Sequence, residues 1–233
     1  MSELCVFAAN FTQTPEVQGA LLRESCVRVG IELHEYGIGE GFQGWQQMKI
    51  VRALQFLEGR SEPYVLMVDS HDSFVLAGEA EILERYLSLR AEIVISAEKN
   101  CWPHAEWASR YPSNSSPWPY VNSGGVIGGR EFFMDRLESM RGMEDDDQAC
   151  WTLQYFNDHQ VMLDRHCRLF QTMYGTKPGE LSPGVNYVFY THPLIWHFNG
   201  KEGNYPEGKP DIAEWYAAAV KGRVITYLTP HRY

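Results

Sequence analysis

The apolar run Tyr64-Val65-Leu66-Met67-Val68 ends abruptly in Asp69-Ser70-His71-Asp72. A run of that length and kind reads as a strand buried on both faces, and an open α/β sheet builds its ligand crevice just outside the carboxyl ends of such strands. Two carboxylates three residues apart at that end can share one hard divalent cation, and the cation can in turn neutralise a diphosphate. The same D-x-x-D spacing also suits a turn that caps the next helix, so the block by itself leaves both readings open.

The flanking segments alternate in kind. Ser2 to Asn10 reads as a first strand, and Thr14-Pro15 supplies an N-cap with a first-turn proline. Val17, Ala20, Leu21, Leu22, Cys26 and Val29 then follow helical spacing to a stop at Gly30. Ile31 to Tyr36 predicts a second strand, the glycines at 37, 39, 41 and 44 a loop open to close backbone approach, and Trp45 to Leu57 a second helix. A helix over Glu79 to Leu89 and a strand over Glu92 to Ala97 continue the series, which argues for a parallel, doubly wound sheet.

From Cys101 to Tyr120 the chain becomes an aromatic, proline-rich loop too long for a simple connection, the kind of segment that serves as a lid or an acceptor site. Val121 to Gly129 follows as a strand whose glycines leave room for a substrate against the backbone. A helix over Arg130 to Arg141 leads to Glu144-Asp145-Asp146-Asp147-Gln148 at a helix start. The strand Pro193 to Trp196 ends in His197-Phe198-Asn199-Gly200, and a short helical segment lies near Asp211 to Lys221.

At 233 residues the chain is long enough for one substantial core, and no shift of composition marks a linker, so residues 1–233 read as a single domain. A hydrophobic fraction of 44% excludes a disordered chain, and no apolar stretch has the length of a membrane span. A formal net charge of -10 argues against bulk nucleic acid as a partner, whereas a nucleotide held through a metal ion is compatible because the cation supplies positive charge. The five cysteines are scattered, without a C-x-x-C pair, and read as buried free thiols. With no basic start of a secretory signal at Met1, a cytoplasmic setting is expected.

Each chemical group has a plain structural reading as well. The acids at 145–147 favour a helix dipole, and His197 suits a hydrogen-bonded core histidine. Lys49 suits a solvated helix face, and Trp102 and Trp118 suit a core cover. Five blocks in one order nevertheless resemble the glycosyltransferase domain of the procollagen lysyl hydroxylases and, more distantly, the collagen galactosyltransferases. They are Val65 to Asp72, Ile95 to Glu98 with Cys101-Trp102-Pro103, Val121 to Gly128, Asp145 to Gln148, and His197 to Gly200. The resemblance runs from about Tyr64 to Gly200, and the first third matches in layout only.

That resemblance implies a GT-A-like α/β fold, a Rossmann-like doubly wound mixed sheet, and Mn²⁺-dependent transfer of a hexose from a UDP-sugar to a hydroxyl acceptor. It assigns the metal to Asp69, Asp72 and His197, an O/O/N set that suits Mn²⁺. Asp146 and Asp147 would act on the sugars, with Gln148 beside them, and Trp102 would lie on a mobile loop over the donor. Lys49 would touch the diphosphate, His71 would stand where the family usually has a nucleoside-contacting tyrosine, and Asn122, Gly124, Asn199 and Gly200 would complete the substrate site. The acidic run is shorter than in the lysyl hydroxylases, and no iron and oxoglutarate domain follows, so a free-standing transferase with a glycan, peptide or small-molecule acceptor is expected. The alternatives are a catalytically silent nucleotide-sugar binding module and a metal-dependent nucleotidyltransferase or phosphohydrolase.

Overall fold

The computed structural model describes residues 2–13, 18–41, 44, 46–113, 115–201, 205 and 208–228. Its first half follows the alternation of the sequence. Strand β1 (Leu4–Ala9), helix α1 (Ala20–Arg28) and strand β2 (Leu33–Tyr36) come first. A π-helical turn (Gln46–Val51) runs into α2 (Arg52–Glu58), followed by β3 (Tyr64–Asp69), β4 (Ser73–Val75), α3 (Glu79–Ser88) and β5 (Ile93–Glu98). The expected cap at Thr14-Pro15, with Val17, lies outside the described residues, as does Trp45. The helix itself starts later, after Gly19 in the left-handed region at φ 77.

The second half comprises a 3-10 helix (Ala105–Arg110), β6 (Tyr120–Gly129), α4 (Arg130–Met140), α5 (Asp147–Asn157), β7 (Val161–Leu163) and β8 (Phe170–Thr172). The hairpin β9 (Leu181–Ser182) and β10 (Val185–Asn186), then β11 (Ile195–His197) and α6 (Ile212–Leu228), complete it. The last helix is longer than the short segment the sequence suggested. No helix of the described residues is long and apolar enough to cross a membrane, and all five cysteines are free, four of them buried.

The main sheet has six strands in the order β2-β1-β3-β6-β5-β7. It is mixed rather than wholly parallel: β1 runs parallel to β2 and β3, and β5 to β7, whereas β6 is antiparallel to both β3 and β5. The physical cause is the loop after β5, which returns the chain to the same edge of the sheet it has just left, so β6 re-enters from the carboxyl ends of its neighbours. Alternate residues of β3 feed two cores. Val65 and Met67 pack with Phe7, Phe133 and Trp151 on one face, and Leu66 and Val68 with Leu22, Ile82 and Ile127 on the other. This two-sided burial is what an uninterrupted apolar strand encodes.

A second sheet, β4-β11-β8, lies beside the first. Phe74, Trp196 and Phe198 on it pack with Tyr216 and Ala219 of α6. Its strands have three residues each, too few for a period to register in sequence. Their function in the architecture is to bring His197 opposite Ser73 and Thr172 in register, and hence close to the end of β3.

The glycines of β6 let its neighbours approach. A Cβ on Gly128 would lie 2.7 Å from the Glu92 carbonyl oxygen and 2.8 Å from Ile93 Cγ1, and a backbone atom in a central strand cannot move aside cheaply. Gly128→Ala is therefore expected to destabilise the fold by about 1–3 kcal/mol, as overpacking usually does. Urea unfolding should show a lower midpoint at unchanged slope, and an unshifted midpoint would mean that the strand pair accommodates the methyl group.

Candidate active site

The carboxyl ends of β3 and β5, the start of antiparallel β6 and the end of β11 meet at one edge of the sheet. Between β5 and β6 the register shifts after Ile95, which pairs with Val126, to Ser96, which pairs with Asn122. The intervening Ser123-Gly124-Gly125 bulges out of the ladder, and such bulges re-aim side chains beside functional sites. Gly124 abuts the His197 ring so closely that a Cβ would overlap it. The cleft so formed has a volume of about 610 Å³.

Asp69, Asp72 and His197 present ligand atoms within 4.8 Å of one another. His197 Nε2 lies 3.1 Å from Asp72 Oδ1 and 3.4 Å from Asp69 Oδ2. Asn122 fixes the other ring nitrogen. Its Nδ2 donates to Glu98 at 3.1 Å, so its Oδ1 faces Gly124 N–H at 3.1 Å and His197 Nδ1 at 2.9 Å. An Nδ1–H donor leaves Nε2 to point a lone pair at two carboxylates unless a cation stands between them. Burial opposes charging His197, but Asp72 and then Asp69 outweigh it and raise its pKa. This donor set fits a divalent metal ion.

Lys49 is not on a solvated face. The π-helical turn carries it inward, as such turns often do at functional sites. Its Nζ sits 2.7 Å from Asp69 Oδ1 and 2.8 Å from Asp147 Oδ2. Burial would lower its pKa, yet Asp147 and Asp69 together hold it above the usual lysine value. Burial would likewise raise Asp69, but Lys49 and then His197 keep it below the ordinary carboxylate range.

Asp146 caps α5, its Oδ1 accepting the Gln148 N–H at 2.8 Å, so the dipole role expected of the acidic run is present within the cleft itself. Trp102 stands on the rim, 57% exposed, with its carbonyl oxygen 3.3 Å from Gln148 Nε2, whereas Trp118 is fully buried. Of the other residues singled out from sequence, Asn122, Gln148, Asn199 and Gly200 line the cleft. His71 does not line it and faces Asn10 Oδ1 at 3.2 Å, and Gly124 contributes by packing under His197. Glu98, Asn100, Ser123, Tyr174 and Lys201 also line it, although the sequence reading gave them no role. Glu98 carried the same signal as Asp69, an acid closing an apolar strand.

Residues 29–205 match the family model of the PLOD GT domain. The chain belongs to that family. A procollagen-lysine,2-oxoglutarate 5-dioxygenase of Drosophila melanogaster is 29% identical over 198 residues, covering 73% of this chain and 27% of that protein. Dioxygenase 1 of the same name from Mus musculus is 24% identical over 212 residues, 80% of this chain and 29% of that protein. An uncharacterized protein of Acanthamoeba polyphaga mimivirus is 32% identical over 159 residues, 65% of this chain and 35% of that protein. The PLOD GT chain thus spans about a third of the length of these relatives. Among solved structures, the WbbM bifunctional glycosyltransferase superposes with a TM-score of 0.55 at 14% identity, over 94% of this chain and 50% of that one. The chain is a glycosyltransferase-type domain with a GT-A-like α/β fold.

Burial and the charge of Asp147 push the Asp146 carboxyl up to about 6, against the Gln148 hydrogen bond and the charge of Lys49. Because the folded value exceeds the ordinary 3.8, this group favours the folded state fully at pH below that value, and the contribution is lost as pH rises through about 6. A carboxyl-carbon NMR titration of the metal-free protein should therefore give Asp146 a midpoint near 6, and Asp146→Asn should remove that part of the pH dependence of stability. A midpoint in the ordinary aspartate range would refute the burial and repulsion described here.

Proposed function

We propose that this domain is a Mn²⁺-dependent glycosyltransferase that moves a hexose from a UDP-sugar to a hydroxyl acceptor. The observation that carries the reading is the convergence of Asp69, Asp72 and the Asn122-held Nε2 of His197 at the mouth of the cleft. Asp69, Asp72 and His197 would hold the Mn²⁺ ion, which when bound supplies Lewis-acid stabilisation to the charge on the departing UDP. Membership of the PLOD GT family and the GT-A-like fold support transfer as the reaction class.

The remaining steps belong to the chain's own groups. Asp147, neutralised by Lys49, accepts hydrogen bonds from the hexose hydroxyls, and Gln148, whose amide is held by Glu98, Trp102 and Ser123, forms the wall beside it. Above about pH 6 Asp146 is a carboxylate, able to take the proton of the acceptor hydroxyl as its oxygen bonds to the anomeric carbon and the bond to UDP breaks. Trp102 covers the donor from the rim and limits its loss to water. Lys49 spends its charge on Asp69 and Asp147, so its contribution to the diphosphate acts through the metal ligand it holds.

Calorimetric titration with UDP, UDP-glucose, UDP-galactose, UDP-glucuronate and GDP-mannose, each with Mn²⁺ and with chelator, tests the reading. UDP compounds should bind only with the metal, and UDP should be released on turnover. Binding without turnover of any donor would make the domain a silent binding module, and metal-independent binding would remove the assignment of Asp69, Asp72 and His197. Asp72→Ala is expected to abolish Mn²⁺-dependent UDP binding with the unfolding transition still cooperative. Trp102→Ala should weaken donor binding and lower turnover while changing stability by no more than about 0.5 kcal/mol, as exposed positions do. A large loss of melting temperature with turnover kept would show Trp102 to be a packing residue.

A further inference from the structure

The loop between β5 and β6 is tied to the acidic run by one imidazole. His104 Nε2 lies 2.7 Å from Asp145 Oδ2, while Asp145 Oδ1 accepts the Asp146 N–H at 2.8 Å. Asp146 Oδ1 in turn accepts the Gln148 N–H. The imidazole ring lies on Trp107, with centroids 4.3 Å apart, and Trp107 meets Phe156 of α5 edge-on at 6.1 Å. The Arg110 guanidinium covers the same Phe156 ring at 4.2 Å. His104 is therefore held in place by the 3-10 helix and by α5, and only about a third of its side chain meets solvent.

This chain of contacts has a direction. Asp145 uses one carboxylate oxygen on His104 and the other on the peptide that carries Asp146, so rotating Asp145 would release the Asp146 backbone. An Asp–His hydrogen bond of that length is charge-assisted when the ring is protonated, and the hydrogen bond that His104 donates to Asp145 raises the pKa of His104. We propose that His104 is a positioning residue which, through Asp145, fixes the carboxylate of Asp146 on the acceptor side of the cleft. The kinetic half of this inference rests on the transfer reading above, and the structural half does not.

The test uses the intact chain with Mn²⁺ and UDP-glucose or UDP-galactose, reading UDP release with water as the acceptor. His104→Ala should lower kcat about tenfold, the loss typical when the partner of an active group is removed, at unchanged donor KM and unchanged Mn²⁺-UDP affinity. His104→Gln, whose amide can still donate to Asp145, should recover most of the rate. His104→Ala combined with Asp145→Asn should cost no more than the larger single loss, as groups acting in one chain do. A raised KM at unchanged kcat, additive losses, or no rescue by Gln would overturn the proposal. If the parent chain neither binds nor turns over these donors, the transfer reading fails, and amide exchange decides the His104 contact on its own. Exchange at Asp146 and Gln148 should rise in His104→Ala at unchanged melting temperature, and unchanged exchange there would refute the positioning role.

Discussion

The arrangement of the cleft depends on one buried carboxylate. Glu98, 4% exposed at the end of β5, accepts hydrogen bonds from three amides carried by three separate segments. Gln148 Nε2 and Asn122 Nδ2 reach Oε1 at 2.8 and 3.1 Å, and Asn199 Nδ2 reaches Oε2 at 3.1 Å. Burial pushes its pKa up, and the three amides oppose the shift, Asn122 and Gln148 most. A carboxylate in such a place is tolerated only because its lone pairs are met, and the same requirement forces each amide into one orientation. The orientation is then passed on. Asn122 turns its oxygen to His197, Asn199 turns its own to the Met173 and Tyr174 N–H groups at 3.1 and 3.0 Å, and Gln148 Oε1 receives Ser123 N–H at 3.2 Å. A single polar hub thereby aligns the starts of β6 and α5 with the end of β11.

The bulge of β6 and the glycines within it serve that alignment. A regular ladder would place Ser123, Gly124 and Gly125 in pairing positions. The register shift after Ile95 instead lifts them out of the ladder with β5, although Gly125 still pairs with Val68 of β3, and there Gly124 lies under His197 and Gly125 under Phe170. Any side chain at Gly124 would occupy the space of the imidazole. The absence of a Cβ therefore determines where the ring sits, with Nε2 facing the carboxylates of Asp69 and Asp72.

The main strands and most helices were legible because burial leaves a periodic or continuous apolar trace, as in Tyr64 to Val68 and Ile93 to Ala97. The acids before α5 were legible because a helix start selects for them. Strand direction was not: nothing local in Val121 to Gly129 distinguishes an antiparallel strand, since its sense is set by where the preceding loop returns. The strands Ser73–Val75, Val161–Leu163 and Phe170–Thr172 are too short to show a period. The π-helical turn that buries Lys49 looks like ordinary helix in sequence, because one extra residue per turn changes which face a lysine occupies without changing composition. Glu98 and His104 went unassigned for a related reason. Their roles reside in partners from distant segments, Asn199 for the one and Asp145 for the other.

Lys49 also explains how two sets of carboxylates can share a cleft in a chain of net charge -10. Its ammonium contacts Asp69, one of the carboxylates clustered with His197, and Asp147, at the start of α5. Asp146 and Asp147 do not belong to the Asp69, Asp72 and His197 cluster, and the bonds they make explain the separation. One oxygen of Asp147 is committed to Lys49 and one of Asp146 to the Gln148 amide. A cation drawing Asp147 away would take a carboxylate from a buried ammonium, at a cost of several kcal/mol for an incompletely compensated buried charge. The lysine thus separates the two sets while coupling them: a change of charge at Asp69 is felt at Asp147 through one shared nitrogen. That ion pair is what keeps the two sets of carboxylates distinct, because four equivalent carboxylates without it would repel one another and compete for the same cation.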